Sequence, residues 1–379
     1  MIYHILKGDA VVWLISMHAK YGEFIRVGPD ELSYSGSEAF KEIHGHKKQG
    51  QVTLLKDPAL YTNPIAPVPN IINANDAGHS RMRRIFSHAF SDRALKLQEP
   101  LFLLHIDKLM ESLRASANAN PNHIFNMVNW YNFATFDVMG DLTFGESLQL
   151  LDNDTYHPWL FNIFKTVKYA AIGVSLNYYP IIFQTLTIVI PALMAKSLKK
   201  NERFTKERVD RRLEKKDVRA DIWGLILARD EATSLSRDEM YSNASIFMIA
   251  GTETTATLLS GLTYYLCMNP DKMKLLTDEI RSTFTDDSEI TIEALQKMKY
   301  LNACVEEGLR MYPPVPNGLP RRVPAGGAEI NGKHIPAGVG YNTCAEKTSL
   351  IQRIDTNQRN SSCCLQKPKQ LPKSIFVHT

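Results

Sequence analysis

The chain is short of the features that would place it quickly. It has no long apolar run near its start: within Met1 to Lys20 only Val11 to Ile15 stands out, inside an amphipathic stretch. Spanning a bilayer takes about 20 apolar residues, so this segment reads as neither a signal peptide nor a transmembrane helix. Cysteine is scarce. Cys267, Cys304, Cys344, Cys363 and Cys364 are odd in number and lack metal-ligand spacing, which excludes a disulfide framework and a zinc module and fits a reducing compartment. Cys267 and Cys304 fall in helical patterns and are expected to be core thiols. Neither sign of charge dominates: 44 Lys and Arg against 40 Asp and Glu give +4, with no basic cluster interleaved with aromatics. Nucleic acid is therefore excluded as a partner class.

What is present is a core-forming composition, 44% hydrophobic and 22% charged over 379 residues, enough for two or three domains or one large helical unit. One stretch organises it. Ser236 followed three residues later by Glu239 is a capping-box start and Asn269-Pro270 is a stop, so Ser236 to Met268 predicts a single helix of roughly 45–50 Å. Its flanks are apolar on nearly every side, whereas its centre is Ala250-Gly251-Thr252-Glu253-Thr254-Thr255. Glycine costs a helix interior about 1 kcal/mol and threonine is a mediocre helix former, so the midpoint gives up stability to make room. Ala250 and Thr254 share a face with Gly251 beside them, small enough for a flat ligand, and Thr254 can return its hydroxyl to the Ala250 carbonyl. The plainer alternative is a threonine-rich helix with one solvated acid and a packing glycine.

In chain order, Glu23 to Val27 and Leu32 to Tyr34 flank Gly28-Pro29-Asp30, a hairpin signal, and Ser37 to His44 reads as a short helix. Asp57 to Asn75, punctuated by four prolines, reads as a long irregular loop. His79 and Arg83 share a face of the next helix and can present a donor and a guanidinium to an anion; a solvated basic helix start is the alternative. Phe125 to Gly145 has buried-helix spacing. Leu160 to Met194 is the most apolar stretch, interrupted by Asn177, Pro180, Gln184 and Pro191; it reads as a core helix pair joined by a proline turn, or its run Ile181 to Ile190, followed by Lys196, Lys199, Lys200 and Arg203, lies on an anionic membrane surface. Two helical patterns follow, Asp271 to Phe284 and Ile292 to Met311, the second carrying Glu307 and Arg310 at ion-pair spacing. Glu329 to Ile335 is strand, Asn-Gly turn, strand. Residues 357–373 lack periodicity and read as disordered.

Taken together, Ala250 to Thr255, then Glu307-Gly308-Leu309-Arg310 with Tyr312-Pro313-Pro314, then Ile330-Asn331-Gly332 and Ile335-Pro336-Ala337-Gly338 resemble the central helix, the Glu-x-x-Arg helix and the following sheet of cytochrome P450 monooxygenases, of the fungal microsomal type used in secondary metabolism. The resemblance implies a mainly α fold with small β-sheets, a P450-like domain over residues 1–340 and a divergent tail over 341–379. It implies haem as cofactor, with Glu253 and Thr254 as the proton-relaying pair. His79, Arg83 and one of Arg321 and Arg322 would hold the haem propionates. Ala250 and Gly251 would lie against the ring, and Glu307 and Arg310 would be structural. The implied substrate is a hydrophobic secondary metabolite, the implied electron source NADPH-cytochrome P450 reductase, and the implied location the cytosolic face of the endoplasmic reticulum membrane, or the cytoplasm if no anchor is attached. No further metal is implied.

One part of the family pattern is not met. The iron-binding loop Phe-x-x-Gly-x-Arg-x-Cys-x-Gly, aligned on Cys363, finds Thr356, Arg359 and Ser361; aligned on Cys364 it finds Asn357, Asn360 and Ser362. The chain leaves the pattern at about Val339 to Thr343, as a frameshift, a retained intron or an early stop would produce. The expectation is thus a P450 trimmed at both ends, with a catalytically inactive remnant, or a helical protein binding a ligand or partner, as the alternative.

Overall fold

A computed structural model describes residues 2–45, 47, 52–61, 68–153, 199–215, 219–228, 235–316 and 318–343. Readings made of 160–194 and of the tail, with Cys344, Cys363 and Cys364, lie outside the described residues. Helices dominate, with two small sheets. Among the described residues no helix is long and apolar enough to cross a membrane.

The central helix runs from Arg237 to Met268 and begins as its capping box dictates: Ser236 Oγ accepts from the Glu239 amide at 3.2 Å while Glu239 Oε2 accepts from the Ser236 amide at 2.9 Å. Its main partner is the helix Met127–Phe144, which ends at Gly145 in the left-handed conformation (φ 66°). Close approach of the two comes from small residues and one polar tie, Tyr131 Oη to Thr263 Oγ1 at 2.8 Å. Phe136 on the partner helix is fully buried, worth about 2–3 kcal/mol relative to exposure. The apolar flanks of the central helix suggest that it should be the most buried. Met127–Phe144 is more so, with ten of its 18 residues buried against eleven of 32, because the long helix leaves one side of its middle partly open.

The five-stranded sheet has the order β1-β2-β7-β4-β3, with β1 Phe24–Gly28, β2 Glu31–Tyr34, β3 Leu55–Lys56, β4 Arg321–Arg322 and β7 Gly340–Thr343. β1 and β2 form the expected hairpin. β2 and β7 pair in parallel, Glu31 opposite Gly340, so the two ends of the described chain meet in one sheet. The second sheet is the predicted hairpin, β5 Ala328–Ile330 and β6 Lys333–Ile335. Asn331 (φ 53°) and Gly332 (φ 70°) supply the positive angles that its two-residue turn requires.

Three details differ from the sequence reading. The segment 292–311 is two helices, Ile292–Lys297 and Lys299–Met311, parted at Met298, whose extended backbone (ψ 111°) breaks the ladder. The proline-punctuated loop contains a helical turn, Pro58–Tyr61, started by the Asp57 carbonyl. Cys304 is a core thiol, but Cys267 is exposed: it sits two residues before the stop at Asn269, on the face turned away from Leu262 and Leu266.

Candidate cofactor site

At the middle of the central helix two threonines bond back to the preceding turn, Thr252 Oγ1 to the Met248 carbonyl and Thr254 Oγ1 to the Ala250 carbonyl, both at 2.6 Å. They are not equivalent. Thr252 is wholly buried, whereas Ala250, Glu253 and Thr254 are half-buried on the partly open side. Gly251 is turned elsewhere: a Cβ there would stand 2.6 Å from Met139 Sδ of the neighbouring helix. Its bareness serves helix packing, so the small face left for a flat ligand is Ala250 and Thr254. Burial alone pushes the Glu253 carboxyl up to about 7, placing its proton exchange at neutrality.

A second group of residues gathers near the N-terminal half of the same helix. The helix Asp76–Ser87 is capped by Asn75, whose Oδ1 accepts from the Gly78 amide at 2.9 Å. It packs on the central helix through Phe86 and Phe247, rings edge to face at 4.9 Å, one turn before Ala250. Arg81 pairs with the capping-box Glu239. His79 and Arg83 lie a turn apart and face another way, toward the sheet edge where β3 meets β4.

There the adjacent arginines part, as neighbours on a strand must. Arg322 donates to the Gly338 carbonyl at 2.8 Å and pairs with Asp57 at 3.2 Å, with Asp30 at 3.6 Å. Arg321 goes to the other face, its guanidinium 5.9 Å from the Tyr61 ring centre. Of the two, it is Arg321 that joins His79 and Arg83. Burial, then the positive charges of Lys56, Arg83 and Arg321, hold the His79 imidazole below its usual range, so it is a neutral donor at pH 7. His44 nearby is pushed to about 4 by burial and then by Arg321 and Lys47. Among the described residues neither Arg83 nor Arg321 makes an ion pair. Lys56 belongs to this edge too, though no motif in the sequence marks it.

Glu307 and Arg310 form the expected pair, Nε to Oε2 and Nη2 to Oε1 both at 2.6 Å, half-buried near the end of their helix. A two-point pair of this kind fixes the helix end geometrically as well as electrostatically. Gly308 between them faces Leu258 and Leu262 of the central helix.

The described residues fit the haem implied by the sequence at its carboxylate edge, where cations wait without ion-pair partners, and along Ala250 and Thr254. They offer it no thiolate, since Cys267 is exposed at the far end of the central helix and Cys304 packs with Leu262 and Leu276. Nor do the described residues contain a cluster of three or more residues suited to a metal ion.

Comparison with known proteins shows which family the chain resembles. The cytochrome P450 family profile matches residues 5–345. Cytochrome P450 monooxygenase efuB of Hormonema carpetanum is 44% identical over 336 residues, 88% of this chain and 66% of that protein. The trichothecene C-15 hydroxylase of Fusarium sporotrichioides is 36% identical over 345 residues, 90% of this chain and 68% of its own. Averantin hydroxylase of Dothistroma septosporum is 38% identical over 334 residues, 88% and 62%. The chain thus spans about two thirds of the length of these relatives, and with a mainly α fold and a family match over residues 5–345 it belongs to the cytochrome P450 family.

Proposed function

We propose that the protein is a haem monooxygenase acting on a hydrophobic fungal secondary metabolite, supplied with electrons from NADPH by a membrane reductase at the cytosolic face of the endoplasmic reticulum. The bound haem supplies the iron at which dioxygen is activated. The protein's part is to hold it and to manage protons. His79, Arg83 and Arg321 bind and orient the two carboxylates. The observation that carries the reading is the pair Glu253 and Thr254: a half-buried acid that exchanges its proton near pH 7, beside a hydroxyl that donates back to the Ala250 carbonyl of the helix ladder. An acid so tuned delivers protons where bulk water is excluded. The apolar flanks of the same helix, Ile246 and Ile249, suit a hydrophobic substrate.

A second reading, a ligand-binding remnant without oxygen chemistry, draws support from the sequence around Cys363 and Cys364, which lacks the family's phenylalanine, glycine and arginine. The test is Thr254→Ala in a chimera carrying the cysteine loop of a relative. Haem and substrate binding should hold while product per NADPH falls several-fold and hydrogen peroxide rises. Unchanged coupling, or an unfolded variant, would show that the threonine serves packing alone.

A further inference from the structure

Lys56 sits at the same edge without a carboxylate-binding role of its own. In the register of β3 and β4 it stands directly opposite Arg321, and like charges directly opposite are destabilising. Both cations lie near one ring, Lys56 Nζ at 5.5 Å and the Arg321 guanidinium at 5.9 Å from the Tyr61 centre. Burial, and then Arg321, lowers the affinity of the amine for its own proton. Something must hold a lysine in so unfavourable a place.

What holds it is the backbone that leads into the His79 helix. Its ammonium donates to the carbonyls of Ile72 at 2.6 Å, Ala74 at 3.0 Å and Ile71 at 3.5 Å. An ammonium has three donors and all are engaged, so Lys56 has none left for a ligand. From the other side Asn243 Oδ1 of the central helix accepts the Ile71 amide at 2.9 Å. The segment 70–74 is thus clamped between a lysine on the sheet and an asparagine on the central helix. It passes directly to the cap Asn75, whose carbonyl accepts the His79 amide at 2.7 Å.

We propose that Lys56 is a positioning residue of the carboxylate-binding edge: by tying carbonyls 71, 72 and 74 to the strand that carries it opposite Arg321, it sets His79 and Arg83 at a fixed distance from Arg321. It rests on the proposed function above only in taking that edge as the place where porphyrin carboxylates bind. Arg321 lies far in sequence from the helix that carries His79 and Arg83, and Lys56 is the side chain that ties the segment leading into that helix to the strand pair.

The test uses metal-free protoporphyrin IX and its dimethyl ester, followed by porphyrin fluorescence with the 379-residue chain. The parent should bind the free acid more tightly than the ester. Lys56→Met should weaken the free acid by about tenfold, the scale of one hydrogen bond to a charged group, and leave the ester unchanged. Lys56→Arg, which keeps charge and donors, should recover most of the loss. Equal binding of the free acid by parent and Lys56→Met, or equal loss of both porphyrins, would overturn the positioning role. A parent that does not distinguish acid from ester would instead overturn the assignment of the edge itself.

Discussion

Asp221 serves two partners at once: Oδ2 accepts from the buried Arg212 Nε at 2.6 Å, while Oδ1 accepts from the Gly224 amide at 2.7 Å and so caps the helix Ile222–Leu227. Both charged side chains are almost wholly excluded from solvent, 1% and 0% exposed. The neighbouring chain makes way for them, since a Cβ on Gly145 would lie 2.5 Å from Arg212 Cδ.

Asp221→Ala is therefore expected to destabilise the fold by about 3–5 kcal/mol, because it removes the carboxylate that neutralises a buried guanidinium and uncaps a helix together. Arg212→Met should cost less, since the acid keeps the Gly224 amide. Urea unfolding of the two variants and of the double variant checks this, and the double should fall short of the sum.

The Glu253 carboxyl, raised by burial from 4.5 to about 7, makes stability depend on pH with a definite sign. Between those values the folded state binds the proton and the unfolded state does not, so stability is lost as pH rises from about 4.5 to 7. Glu253→Gln removes this term. It should stabilise the chain by about 3 kcal/mol at pH 8 and hardly at all at pH 4, as read from urea midpoints at the two pH values.

Gly251→Ala should cost about 1–3 kcal/mol, because the added methyl meets Met139 Sδ at 2.6 Å and its Cε at 2.8 Å. Pairing it with Met139→Ala should return part of the loss. Thermal unfolding of the four combinations gives the coupling; strict additivity would mean that the contact is not what limits the glycine.

Reconstituted with haem, reduced and exposed to carbon monoxide, the 379-residue chain is expected to lack the red-shifted Soret band of thiolate ligation. The residues around Cys363 and Cys364 do not match the family's loop. A clear thiolate-type band would assign the iron to one of those cysteines.

Much of this architecture was legible in local chemistry. The Ser236 and Glu239 box, the Asn331-Gly332 turn and the His79 and Arg83 face each depend on residues within a turn of one another, and sequence spacing reports such relations directly. What escaped depends on partners remote in sequence. Choosing Arg321 over Arg322 needs the register against β3, whose residues lie about 265 positions away. Lys56 escaped for the same reason. Gly251 was misjudged because a bare helix face looks alike in sequence whether a ligand or Met139 fills it. Val128, inside the Phe125 to Gly145 stretch whose spacing suggests a buried helix, is 44% exposed in the first turn, where the packing has not yet closed.

The parallel pairing of β2 with β7 sets an order of events during synthesis. Strand β2 leaves the ribosome early, yet its partner Gly340 follows about 300 residues later, on the order of 15–60 s at ordinary elongation rates. Through that interval one edge of the hairpin keeps unpaired amides and carbonyls, the kind of template that recruits stray strands. The helices, whose contacts are nearer in sequence, can assemble meanwhile. The edge that carries Arg321 is among the last parts to close, so a nascent chain stalled before residue 320 would present a folded helical body with an open, adhesive strand, a natural substrate for chaperones.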